Sequence, residues 1–72
     1  MSRATEALDA LKSRSEPMLI PEDIAPVLGV AAHSIRIQAQ EDPRMLGFRV
    51  SRVGNKTLIP RVPFIAFIEE GA

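Results

Sequence analysis

Within the stretch DIAPVLGVAAHSIRIQAQ, Asp23 to Gln40, one glycine, Gly29, stands between two short apolar periodicities. No other feature restricts the fold as much. Ile24, Val27 and Leu28 recur at i, i+3, i+4 before it, and Ile35 and Ala39 at i, i+4 after it, so each side reads as one face of a short helix. Glycine adopts the left-handed conformation without a Cβ penalty, which lets a helix end and the chain turn within a few residues. Leu28-Gly29-Val30 therefore reads as helix stop, turn and helix restart.

If the two seams meet, Ile35 and Ala39 face inward, and Ser34 and Arg36, flanking Ile35, are rotated roughly 100° away from it. With His33, Ile37 and Gln40 they form an outward face, and Gln38 adds a further polar group to this second helix. Such side chains can hydrogen-bond base edges and phosphates, and the spacing is that of a helix-turn-helix. Pro26 resists the pattern. In a helix interior its missing N–H costs about 3 kcal/mol or more, and in a helix begun at Pro21 it would be the sixth residue. A late start, a kink or a first turn that is not α-helical is expected. Glu22 and Asp23 read as favourable charge at a helix N-terminus, not as an acid/base pair.

At 72 residues the chain is near the lower limit for an unstapled core, so a single body is expected over 18–72, preceded by an N-terminal helix and linker over 1–17. Ser2 can cap that helix. Ala4, Ala7, Leu8 and Leu11 give it a thin apolar stripe, which docks weakly, self-associates or frays. Lys12 to Pro17 reads as the linker.

Three Phe and no Trp or Tyr leave the core to Ile, Val, Leu and Phe. No cysteine is present, which removes disulfides and thiolate chemistry and fits a reducing cytoplasm. One His leaves any metal dependent on carboxylates, so no metal or other cofactor is expected. His33 and Ser34, adjacent on a helix, point apart and have no orienting acid, so the chain is not expected to be an enzyme or to take a small-molecule substrate. No apolar run approaches the ~18 residues of a membrane span, and MSRATEALDALKSRSE lacks the apolar region of a secretory signal. A cytoplasmic, soluble protein is expected.

In GFRVSRVGNKTLIP, Phe48 and Val50 alternate with Arg49 and Ser51, and Gly54-Asn55 suits a type II′ hairpin turn. That register sets Val53 against Lys56, Arg52 against Thr57 and Val50 against Ile59, with Phe48, Val50 and Ile59 on the core face. Arg52, Asn55 and Lys56 gather at the tip. The segment from Gln40 to Leu46, with Asp42-Pro43, lengthens the link between helix and hairpin. PRVPFIAFIEEG reads as a closing helix, with Pro63 at a first helical position, Phe64, Ile65, Phe67 and Ile68 supplying apolar surface, and Gly71 beyond its end. Apolar remnants on the two terminal helices would offer a homodimer contact.

Net charge is zero, but residues 33–61 carry six basic side chains against Glu41 and Asp42, while the flanking segments are each acidic by two. A local basic patch matters more for phosphate binding than the whole-chain sum. Arg36 either reads a ligand or makes a surface salt bridge with Glu41 or Asp42.

IPEDIAPVLGVAAHSIRIQAQ followed by LGFRVSRVGNKTLIPRVPFIAFIEE resembles the small winged-helix proteins of the phage excisionase and MerR-like group. The resemblance lies in Leu28, Gly29, Val30, Ser34, Ile35 and Arg36, with Ile59 and Pro60 after the hairpin, and covers residues 19–69. It implies a winged helix-turn-helix, mainly α with a small β-hairpin, that binds double-stranded DNA. The second helix would enter the major groove with His33, Ser34, Arg36, Gln38 and Gln40, and the wing would place Arg52, Asn55 and Lys56 at the backbone. An excisionase-like protein or a small transcription regulator is then expected. A phage assembly or adaptor protein, using the same fold for protein–protein contact without DNA, is the alternative favoured by zero net charge and apolar ends.

Overall fold

The computed structural model describes residues 3–71, and Ser2, expected to cap the first helix, lies outside them. In chain order the elements are α1 (Arg3–Lys12), β1 (Met18–Leu19), α2 (Pro21–Leu28) and α3 (Ala32–Glu41). A 3-10 turn (Pro43–Leu46), β2 (Ser51–Val53), β3 (Lys56–Pro60) and α4 (Arg61–Glu70) follow. The protein is thus mainly helical with a small antiparallel sheet, in strand order β1-β3-β2.

Gly29 ends α2 as foreseen, at φ 73° and ψ 26°, with its N–H donating to the Ala25 carbonyl at 2.8 Å. No atom would meet a Cβ there, so the position is restricted by backbone conformation alone. Gly29→Val should therefore lower stability by about 1 kcal/mol or more, and an unchanged thermal melt would remove this role for the turn.

The late start expected because of Pro26 is not seen. α2 begins at Pro21 and runs through Pro26. The ring lies on the exposed side, as does Glu22, whose carbonyl loses its helical donor and can turn to water instead. At the other end, Asp23 N–H bonds the Ile20 carbonyl at 2.9 Å and the Asp23 carboxylate accepts the Ile20 N–H at 3.0 Å. This is the reciprocal half of a capping box; Ile20 has no side-chain acceptor for the other half.

The hairpin keeps the expected register, Val53 with Lys56 and Arg52 with Thr57. Gly54 has φ 61°, and among the described residues no non-glycine residue, Asn55 included, has positive φ, which fits type II′ and not type I′. The first strand is shorter than the apolar alternation suggested: β2 begins only at Ser51, so the expected pairing of Val50 with Ile59 lies outside the ladder, and Ile59 pairs with Leu19 instead. Sequence periodicity also missed a third strand. Met18 and Leu19 pair with Pro60 and Ile59 across the far edge of β3.

The core takes one or two side chains from nearly every element: Leu11, Leu19, Ile24, Ile35, Ala39, Phe48, Ile59 and Phe64 are all buried. Phe48 meets Phe64 edge-on, with ring centroids 5.0 Å apart, and Phe67 at 5.6 Å. The link after α3 is compact. Asp42 accepts the Arg44 N–H, and Gly47, at φ 83°, passes so close to Phe67 that a Cβ would stand 3.1 Å from the ring.

Segment 1–17 is less separate than the thin stripe implied. Leu11 is 3% exposed within the core cluster, Lys12 pairs with Glu69 at 2.6 Å, and Arg14 bridges Glu16 at 2.7 Å and Asp23 at 2.8 Å. The linker is fastened as well, through the Arg61 N–H on the Pro17 carbonyl and Arg61 Nε on the Glu16 carbonyl, both at 2.9 Å. In α4, Pro63 is the third residue and not the first, still within the turn whose N–H groups have no helical partner. Ile65, Phe67 and Ile68 pack against the core, while Val62 and Pro63 are exposed.

Candidate nucleic-acid interface

α3 buries Ile35 and Ala39 and turns the opposite side outward. Ala31, which precedes it, has no side-chain acceptor, so the first N–H groups are capped by no side chain. His33 and Gln40 lie exposed on the outward face, with Ile37 between them at 41% exposure. Arg36 and Gln38 fall on opposite flanks, because two residues are roughly 200° apart around a helix. The five groups expected to act together on α3 therefore address three directions.

On one flank Ser34 and Gln38 line an apolar groove of about 420 Å³ with Leu28, Val30, Met45 and Phe67. Gln38 has a structural task there, since its Nε2 donates to the Asp42 carbonyl at 2.9 Å and closes the end of α3. On the other flank Arg36 shares a cleft of about 380 Å³ with Asn55, Lys56 and Thr57 of the hairpin and with Ile20 and Pro21. Three of the expected residues, from segments far apart in the chain, thus line one cleft. Arg52 does not join them. It opposes Thr57 in the register while Lys56 opposes Val53, so alternation sends Arg52 and Lys56 to opposite faces of the hairpin.

Arg36 is engaged, though not with Glu41 or Asp42. Its Nη2 donates to Glu22 on α2. Glu41 is five residues along α3 and so about 140° away around the helix, and the Asp42 carboxylate is taken by Arg44 at 3.1 Å. The Arg36 hydrogen bond holds the Glu22 carboxyl below its ordinary pKa. Glu22 was legible in the sequence only as helix-terminal charge; nothing local announces a partner on another helix.

Among the described residues Arg49, Arg52 and Lys56 make no ion pair, whereas Lys12, Arg14, Arg36 and Arg44 all do. Arg49 is an exposed cation that the tip-centred reading missed, and its signal was its outward position opposite Phe48 and Val50 in the alternation. Among the described residues, Arg49, Arg52 and Lys56 thus place unpaired positive charge on and beside the hairpin. A larger cleft, about 770 Å³, lies by the α2–α3 turn, but its lining is apolar apart from Arg3 and contains none of these groups. No described helix is long and apolar enough to cross a membrane.

Comparison of the chain with known protein families, curated proteins and solved structures finds no match.

Proposed function

We propose that the protein binds double-stranded DNA as a winged helix-turn-helix, with α3 in the major groove and the β2–β3 hairpin as the wing, in the manner of the excisionase and MerR-like group it resembles. The observation that carries this reading is the cleft lined by Arg36 of α3 and by Asn55 and Lys56 of the hairpin, beside cations that make no ion pair among the described residues. In this reading the exposed face of α3 presents His33 and Gln40 to base edges, with Arg36 at one margin and Ser34 and Gln38 at the other. Arg49, Arg52 and Lys56 supply the phosphate contacts that give affinity and orientation. The biological role would be excision of a mobile element or control of transcription in the cytoplasm.

The test is affinity for a duplex found by random-pool selection and for its scrambled counterpart, across several salt concentrations. Arg36→Ala should cost about 1–3 kcal/mol on the selected site and less on the scrambled one, because a guanidinium can bond two acceptors of a guanine edge. Lys56→Ala should weaken both about equally and lower the salt slope by about one. Equal losses for Arg36→Ala on both duplexes would make it a phosphate anchor and pass specificity to His33, Ser34, Gln38 or DNA shape.

A protein-interaction module is the second reading. Ile37 at the centre of the α3 face, and Met45 at 73% exposure beside the apolar groove, favour it. Absence of salt-dependent binding to any duplex would put this reading first, since apolar association is little weakened by salt.

A further inference from the structure

The cations of the interface fall into two kinds. Arg49, Arg52 and Lys56 on or beside the hairpin have no acidic partner among the described residues, while Arg36 on α3 is bonded to Glu22, 14 residues upstream. The pair is open to solvent, with side chains 39% and 50% exposed, and an ion pair so exposed adds little to stability. Glu22 also leaves the guanidinium usable. Among the described residues only Nη2 is engaged, so Nε, Nη1 and the second Nη2 hydrogen remain as donors beside the cleft lined by Asn55 and Lys56.

A carboxylate at that place acts on an approaching duplex in two ways. It holds the planar fork in one orientation, which reduces the rotamer freedom lost on binding. It also repels anionic phosphate oxygens, whereas the acceptors on a base edge are neutral. Both effects favour base over backbone.

We infer that Glu22 is a positioning residue that reserves Arg36 for the paired acceptors of a guanine edge and keeps it from serving as a phosphate clamp. This assignment rests on the DNA-binding reading above. It divides the labour between paired and unpaired cations: α3 reads through a buttressed arginine, and the hairpin holds the backbone through free charges.

The deciding experiment compares the full chain with Glu22→Gln, Arg36→Ala and the double variant on the selected and scrambled duplexes over a salt series, with melts confirming that each is folded. Glu22→Gln should narrow the selected-to-scrambled affinity ratio by about tenfold and steepen the salt slope on scrambled DNA by about one, because the released arginine can then meet phosphate. In the Arg36→Ala background the same substitution should leave the ratio where it is. A ratio unmoved by Glu22→Gln in the native background, or lowered as much when Arg36 is absent, overturns the assignment and leaves DNA binding standing. Wild type without salt-dependent binding to any duplex overturns the binding reading and this assignment with it.

Discussion

Phe64→Ala should lower the stability of the domain by about 3–5 kcal/mol, the range for removing a buried aromatic ring and leaving a cavity. Phe64 has no exposed surface, and its ring forms a T-shaped pair with Phe48. The chain has three Phe and no Trp or Tyr, and all three rings belong to this one cluster. The neighbouring rings, Phe48 and Phe67, are already packed in that cluster, so the gap is refilled only by disturbing them. Small domains have total stabilities toward the low end of about 5–15 kcal/mol, so the variant should be partly unfolded at room temperature. Urea titration followed by circular dichroism would show it as a large fall in midpoint. A midpoint close to wild type would mean that Phe64 is not the centre of the core, and the docking of α4 on the sheet would need to be redrawn. Phe64→Leu, which refills most of the volume, should lose much less.

The second large effect is expected at the other end of the chain, where Leu11→Ala should cost about 2–5 kcal/mol. Leu11 is the one buried residue of α1, seated in the same cluster as Ile24 and Phe64. Two polar attachments flank it, Lys12 on Glu69 and Arg14 on Glu16 and Asp23. Exposed ion pairs contribute little, so Lys12→Ala should be nearly silent beside Leu11→Ala. The contrast makes the measurement informative, because both substitutions touch the same helix and only one removes core. If the two variants melt alike and close to wild type, α1 is an appendage and the body of the protein begins after the linker.

Both effects depend on contacts that a reading along the chain does not reach. The stripe Ala4, Ala7, Leu8 and Leu11 has helical period, but period alone cannot say that one leucine of it will be sealed between α2 and α4. The sheet divides in the same way. Its two hairpin strands follow from alternation around Gly54-Asn55, and their register came out as the turn requires. Met18 and Leu19, only two residues long, became a strand because the far edge of β3 was open beside them.

The interface follows the same division. That Ile35 and Ala39 face inward, that His33, Ile37 and Gln40 face outward, and that Gly29 takes a left-handed turn were all legible, since each depends on residues within a few positions of one another. Which flank each polar residue of α3 addresses was not. Gln38 closing its own helix, Arg36 facing the hairpin tip, Glu22 holding Arg36 from a neighbouring helix, Pro26 tolerated inside α2 and Gly47 pressed against Phe67 were decided by the assembled fold. Backbone conformation and hydrophobic period are short-range properties that the order of residues carries directly. The partner of a charge or the burial of a single side chain depends on which distant surfaces the collapsing core brings together, and that is settled by packing the whole chain at once.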